Sequence, residues 1–188
     1  MLKLFLVMLV SSALAVGGFW LMTRDRATES ATPVPARPAS AEAGKTGFVG
    51  NSGYLLTLPP GYEVYPEMRG KAEVVLFYPK GTALTADEKQ FKALGIVRLE
   101  VSEKPKGESG GATLEQLKGG VEFTLKQNKE TYTIKPVSFG KAAFQADITQ
   151  PSPLTQVFIE GGGVFYVFTA GDEELIYSLA RTLQETGK

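Results

Sequence analysis

The chain has 188 residues, 43% of them apolar and 21% charged, which suits one globular domain of ordinary size with additional segments. Twenty Lys and Arg balance 20 Asp and Glu, and because no block of like charges appears, nucleic-acid binding is disfavoured. The sequence contains neither Cys nor His, which excludes disulfides and thiolate nucleophiles and removes the commonest general base. We therefore predict that the protein is not an enzyme, and we assign no catalytic residue, metal site or cofactor.

Residues 1–22 are predicted to be an N-terminal hydrophobic helix that anchors the chain in a membrane. After Lys3, residues 4–22 (LFLVMLVSSALAVGGFWLM) carry no charge, and this length is close to the roughly 20 residues that a helix needs to cross a bilayer. The alternative is a cleaved signal peptide with an A-x-A cleavage site at Ala13-Leu14-Ala15. We favour the anchor because cleavage there would leave the apolar residues 16–22 at the start of the mature protein.

The same N-terminal segment predicts the location of the protein. Because the segment also has the pattern of a secretion signal, we expect the bulk of the chain on the extracytoplasmic side of the cell membrane, held by a single span. If the segment is cleaved, the protein is secreted or periplasmic.

Residues 23–46 are predicted to be a disordered Pro/Ala-rich linker. The segment has almost no large apolar side chains, so it cannot bury enough surface to offset the entropy lost on ordering. Pro33, Pro35 and Pro38 favour extended conformations and make the linker a semi-rigid spacer. A ligand for a proline-recognition domain is the alternative interpretation.

Residues 47–188 are predicted to fold as a single globular α+β domain. Its first part contains three strand-like runs, at residues 54–58, 73–78 and 96–101. Between the second and third, Thr85-x-x-Glu88 has the pattern of a capping box that opens a short helix ending near Gly95.

A longer helix is predicted over residues 114–127, followed by four strands and a closing helix. Thr113-x-x-Gln116 is a second capping-box pattern, and apolar residues behind it recur at steps of three and four. The four strands are at residues 132–137, 142–149, 154–160 and 164–170, with short links typical of antiparallel neighbours. Asp172 is the predicted cap of the closing helix. Its apolar face consists of Leu175, Ile176, Leu179, Ala180 and Leu183.

The glycines at 161–163 resemble a ligand-binding loop only superficially. A phosphate-binding loop places its glycines between a strand and a helix, whereas residues 164–169 are β-branched and aromatic. We therefore predict that Gly161, Gly162 and Gly163 form the turn of a β-hairpin, where glycine tolerates positive φ.

Three short stretches, taken in order, resemble the PsbP-like proteins, a family that includes the extrinsic oxygen-evolving subunit of photosystem II and bacterial envelope proteins. The stretches are LPPGY at residues 58–62, FGKAA at 139–143 and GVFY at 163–166. The resemblance implies an antiparallel sheet sandwiched by helices (α/β/α) and a non-enzymatic accessory role on a larger complex. The photosystem subunit is associated with retaining inorganic cofactors through contacts that include His. Because this chain has no His, the resemblance identifies no binding residue here.

We expect a membrane-tethered extracytoplasmic accessory domain that binds another envelope protein. The YEVYP stretch at 62–66 is expected to form a loop, and its aromatic residues Tyr62 and Tyr65 are candidate contacts, although rings of this kind more often cover a core. The alternative is a small-molecule carrier that binds an apolar ligand between sheet and helix.

An enzyme is the least favoured class of function. Glu100, Glu103 and Asp147 are its candidate acids and bases, but strand alternation places Glu100 and Ser102 on one face and Glu103 on the other. We interpret these carboxylates as solvated charges at a sheet edge.

Overall fold

The structure is a computed structural model that describes residues 32–33, 46–85, 87–107 and 110–186. The predicted anchor and most of the predicted linker lie outside the described residues. In the described part, no helix is both long and apolar enough to cross a bilayer.

The fold is α+β, as predicted, and every strand pairing among the described residues is antiparallel. The strands are β1 Thr32–Pro33, β2 Gly47–Gly50, β3 Tyr54–Thr57, β4 Tyr62–Arg69, β5 Ala72–Pro79, β6 Val97–Glu103, β7 Lys106–Gly107, β8 Gly110–Gly111, β9 Thr131–Ser138, β10 Ala142–Gln150, β11 Leu154–Glu160, β12 Val164–Ala170 and β13 Gln184–Glu185. The helices are a 3₁₀ turn at Glu88–Gln90 followed by α1 Phe91–Leu94, α2 Leu114–Gln127 and α3 Glu173–Ala180.

A main sheet of eight strands, in the order β1-β4-β5-β6-β12-β11-β10-β9, organises the molecule. A smaller sheet, in the order β13-β3-β2, lies beside it. Since residues paired across antiparallel strands point to the same face, the register defines two faces of the main sheet. We call them the α2 face and the α3 face, after the helix that packs on each.

The α3 face is apolar along most of the sheet and is covered by α3 and the small sheet. Its buried strand residues are Val75, Phe77, Val97, Leu99, Val101, Ala143, Val157, Ile159, Tyr166, Phe168 and Ala170. Ile176 and Leu179 of α3 and Phe48 and Leu56 of the small sheet pack against this layer. This is the main hydrophobic core, and its burial is the largest favourable term in the folding of the domain.

The α2 face carries two separate apolar clusters. Over β10 and β11, Val121 and Leu125 of α2 pack against Phe144 and Phe158, whose rings stack with centroids 4.5 Å apart. At the other side, Phe91 of α1 packs on buried apolar residues of β5 and of the loop before β6. Helices therefore lie on both faces, as the resemblance implied, and the small sheet is an addition that the sequence did not predict.

The second capping box is confirmed and the first is wrong. Thr113 Oγ1 accepts from the Gln116 amide at 3.3 Å, and Gln116 Oε1 accepts from the Thr113 amide at 2.9 Å. At the first site, Asp87 rather than Thr85 is the N-cap, because Asp87 Oδ1 accepts from the Lys89 amide at 3.1 Å. The Glu88 carboxylate instead pairs with Arg98, with Nη1 to Oε1 at 2.7 Å.

The predicted end of α1 and the predicted start of α3 are both confirmed. The short helix α1 ends at Gly95, which has φ of 63°, a left-handed conformation that glycine adopts without strain. Asp172 caps α3, with Oδ1 accepting from the Glu174 amide at 2.9 Å, as predicted.

The region 62–66 was predicted to be a loop and instead begins the eight-residue strand β4. Pro66 lies inside this strand, and proline in a strand-like run argues against a central strand because it lacks an N–H. The proline is tolerated here because β4 lies near the sheet edge. Among the described residues, Thr32 and Pro33 pair with the outer side of β4, opposite Met68 and Glu67.

Glu73 joins the small sheet to the main sheet. Its carboxylate is 1% exposed and accepts from the amides of Asn51 at 2.8 Å and Ser52 at 2.9 Å, in the turn between β2 and β3. Burial, reinforced by the nearby Glu73 charge, raises the pKa of Tyr54 well above its usual value, so Tyr54 stays a neutral ring in the core.

Replacing Glu73 with alanine should lower the free energy of unfolding by roughly 2 kcal/mol, because two charge-assisted hydrogen bonds are lost and water recovers only part of them. Urea unfolding followed by circular dichroism measures the loss. Glu103→Ala is the control, since Glu103 is exposed in β6, and equal losses in the two variants would contradict the role of Glu73.

Candidate functional site

The three candidate catalytic carboxylates do not converge. Glu100 pairs with Val167 and Glu103 pairs with Val164, so the two lie on opposite faces of β6, as predicted. Asp147 lies on β10, separated from β6 by β11 and β12. It is fully engaged there, because its Oδ1 accepts from Gln145 Nε2 at 2.7 Å and from Thr155 Oγ1 at 3.1 Å.

Glu100 is not the solvated edge charge that was predicted. It lies in a central strand with its side chain about nine-tenths buried. Burial raises its pKa, while the charges of Arg98 and Arg69 oppose the rise and that of Glu88 adds to it. Glu100 thus belongs to a group of charges on the α2 face that also contains the ion pairs Glu88–Arg98 and Glu67–Arg69.

The aromatic residues Tyr62 and Tyr65 cover the core rather than project from a loop. The Tyr62 hydroxyl donates to the Gly95 carbonyl at 3.1 Å, and the ring packs on the main core. Tyr65 packs on the cluster around Phe91. Both rings are partly buried and pack on the core, as the more conservative interpretation of the sequence predicted.

The glycines at 161–163 form the turn between β11 and β12, as predicted, but for a different physical reason. Positive φ occurs at other glycines and at none of these three. Gly161 is required by space, since a Cβ there would lie 2.7 Å from the Tyr166 ring and 2.7 Å from Glu185 Oε1.

This turn binds a carboxylate that belongs to the chain itself. Glu185 in β13 accepts from the Gly162 amide at 3.3 Å and from Lys141 Nζ at 2.8 Å. The Lys141 hydrogen bond is the main cause that lowers the pKa of Glu185, with the Gly162 amide and Lys104 contributing and burial opposing. The turn and the C-terminal strand therefore hold each other in place.

Gly161→Ala should destabilise the domain by about 1–3 kcal/mol, because the buried Tyr166 ring has to move. Gly163→Ala is the matched control, since nothing lies within 4 Å of the Cβ position there, and its effect should stay within about 0.5 kcal/mol. Thermal unfolding compares the two. A turn that tolerates alanine equally at both positions would refute the steric role of Gly161.

The Glu185 contact should stabilise the domain in a pH-dependent way. Because the folded-state pKa lies below the usual value of 4.5, the stabilisation is complete above that value and is lost as the pH falls through the folded-state pKa. Glu185→Gln should therefore be less stable than the parent protein at pH 7 and equal to it in acid below the folded-state pKa, measured by urea unfolding. Lys141→Met should give the same pattern, and a stability difference that persists in acid would contradict this origin.

Three polar side chains form a row across the middle of the α2 face. Gln156 of β11 pairs with Thr169 of β12, and Thr169 pairs with Arg98 of β6. We call these three residues the polar row. Gln156 is 2% exposed and Thr169 is 0% exposed.

Each member of the polar row has a buried polar atom with no hydrogen-bond partner among the described residues. The atoms are Gln156 Oε1, Thr169 Oγ1 and Arg98 Nε. An orphaned buried polar group costs about 1–3 kcal/mol, and native proteins leave few of them. Three in adjacent positions therefore mark the polar row as the most unusual feature of the sheet.

On the α3 face, comparable polar side chains have hydrogen-bond partners. There Gln145 is equally buried, but its Oε1 accepts from the Tyr177 hydroxyl at 2.6 Å and its Nε2 donates to Asp147. The Thr155 hydroxyl also has a partner. A Gln and a Thr thus have hydrogen-bond partners on the α3 face, whereas the Gln and the Thr of the polar row lack them.

The polar row was not predicted from the sequence. Its signal was present, because Gln156 and Thr169 are polar residues inside runs that otherwise read as buried strand. The described part of the chain holds no cluster of three or more Asp or Glu side chains that could bind a metal ion.

Comparisons with known proteins support the fold and do not assign a function. No family model and no curated protein matches the sequence. Among solved structures, the solution structure of cyanobacterial PsbP (CyanoP) from Synechocystis sp. PCC 6803 is similar, with 14% identity, a TM-score of 0.50 and coverage of 81% of this chain and 98% of that one. The fold is therefore PsbP-like, which confirms the resemblance recognised in the sequence.

Proposed function

We propose that this protein is a membrane-tethered, extracytoplasmic accessory domain that binds another envelope protein and catalyses no reaction. The observation that supports it most is the combination of a PsbP-like fold with an N-terminal apolar segment and a Pro/Ala-rich spacer. In the family that the sequence resembles, this fold serves as an extrinsic subunit of a larger complex. The spacer places the domain where a membrane-bound partner can reach it.

The arrangement of the carboxylates also favours a binding role over catalysis. General acid–base chemistry needs its groups within reach of the same reacting atoms. Glu100 and Glu103 point to opposite faces, and Asp147 is hydrogen bonded to its neighbours. None of the three candidate acids is therefore placed to cooperate with another.

The outer side of α2 is the surface that we assign to the partner. Phe123 lies there and is 53% exposed, and aromatic side chains are enriched at protein interfaces. The capping box at Thr113 and the packing of Leu125 hold α2 rigidly, so Phe123 is presented at a fixed position. Gly119, one turn earlier, leaves open space beside it.

A photo-crosslinking amino acid at position 123 of the full-length protein should capture one reproducible partner in intact cells. The matched control is the same amino acid at position 178, because Ser178 is exposed on α3, on the opposite side of the sheet. We expect a partner band at 123 and none at 178, identified by mass spectrometry of the envelope fraction. Phe123→Ser should weaken co-purification of that partner without lowering the melting temperature.

A version in which a cleaved secretion signal replaces residues 1–31 tests the tether, because it is still exported and keeps β1. It should lose the crosslink in cells, since it is no longer held at the membrane. No specific product at position 123 in a folded, exported protein would refute the proposed interface. A partner captured only at position 178 would move the interface to the α3 side.

A further inference from the structure

We propose that the edge of the main sheet formed by β1 and β4 faces the membrane, so that α2 stands well away from the bilayer. We call this edge the β4 edge. The inference rests on the proposed function, because it takes the N-terminal apolar segment as the membrane anchor. It goes further by orienting the domain and by stating where the partner carries its contact surface.

The tether joins the domain at the β4 edge. Thr32 and Pro33 form β1, which pairs with Met68 and Glu67 of β4. In the described part of the chain, β1 is the outermost strand on that side of the main sheet. The chain is therefore fixed to the domain at Thr32, well before β2 begins.

This early attachment shortens the part of the tether that lies between the membrane and the domain. Nine residues, 23–31, separate the last residue of the predicted span, Met22, from Thr32. Since each step along an extended chain covers at most about 3.6 Å, the ten steps from Met22 to Thr32 reach at most about 36 Å. A chain that first met the domain at Gly47 would reach about 90 Å by the same rule and would allow any orientation.

The width of the main sheet decides which edge lies near the membrane. The strand order from β1 to β9 contains seven spacings, and at about 4.8 Å for each spacing the sheet is roughly 34 Å wide. With the β9 edge against the membrane, β1 would lie about 34 Å above it, and only a fully straight tether would reach that far. With the β4 edge against the membrane, every tether conformation reaches β1.

The surface of the domain offers nothing that would turn another side toward the lipid. Among the described residues, the large apolar side chains that are exposed are Leu84 and Phe123. They lie on separate elements, in the loop after β5 and on α2, and single exposed apolar residues do not make a membrane-binding patch. The basic and acidic residues of the chain balance, so attraction to anionic lipid is weak as well. The attachment of the tether therefore sets the orientation.

This orientation defines the kind of partner that fits the outer side of α2. The helix packs on Phe158 of β11 and Phe144 of β10, which are five and six strand spacings from β1, or about 24–29 Å. Phe123 thus lies about that much farther from the bilayer than β1 does. The partner has to carry its contact surface on an extracytoplasmic part that projects from the membrane, because a protein with only short loops outside the bilayer would not reach Phe123.

Energy transfer from the domain to labelled lipid tests the orientation in the full-length protein. The protein is placed in phosphatidylcholine nanodiscs in which some headgroups carry an acceptor dye. Because the chain has no Cys, one introduced Cys gives a single donor site. Lys71→Cys puts the donor in the turn between β4 and β5, and Ser138→Cys puts it at the end of β9, where both residues are exposed. We expect stronger transfer from position 71 than from position 138.

A disulfide tests the attachment of the tether independently. Thr32 and Met68 are directly opposite each other in the register, and opposite residues of antiparallel strands are close enough for a disulfide. Thr32→Cys combined with Met68→Cys should therefore crosslink within one chain on mild oxidation. Thr32→Cys combined with Ser138→Cys is the control and should not crosslink, because β9 is the far edge of the sheet.

The outcomes separate this inference from the proposed function. Absence of the disulfide between positions 32 and 68, or transfer from position 138 that equals or exceeds transfer from position 71, would overturn the orientation and leave the anchor and the partner intact. A partner peptide crosslinked at position 123 that comes from a membrane span would overturn it too. Folded protein that does not stay with the nanodiscs would refute the anchor itself, and the orientation with it.

Discussion

The whole structure depends on one sheet that is covered on both faces. Each strand sends alternate side chains to the α3 face and the α2 face, so every residue of β6, β11 and β12 serves one of two different environments. The α3 face is apolar under α3 and the small sheet. The α2 face is apolar at its sides and polar in its centre, where Arg98, Gln156 and Thr169 meet. A central polar region costs stability, and selection for hydrophobic burial alone does not explain it.

Two carboxylates hold the small sheet in place, because each sheet supplies one carboxylate that accepts hydrogen bonds from a turn of the other sheet. Glu73 of the main sheet binds the turn of the small sheet at Asn51 and Ser52, and Glu185 of the small sheet binds the turn of the main sheet at Gly162. Both contacts use backbone amides, which are fixed once the turns form, so they specify how the two sheets meet. This arrangement covers the apolar part of the α3 face.

Much of the fold could be predicted from the sequence, because strand alternation and the capping pattern at Thr113 are local signals. The glycine turn was also predicted, although its cause, the space needed beside Tyr166, is a contact that no local pattern shows. Strand β4 was not predicted, because proline at position 66 argues against a strand. The burial of Glu100 was not predicted, because it depends on the strand order, which places β6 inside the sheet. The polar row needs the register of three strands at once, and a sequence read one segment at a time does not supply that register.

The most direct test of the proposed function is the mass of the full-length protein after extraction from membranes in a mild detergent, measured by native mass spectrometry. We predict a complex that contains a second envelope protein. A mass equal to that of this chain alone, in folded protein extracted from the membrane, would contradict the proposed accessory role.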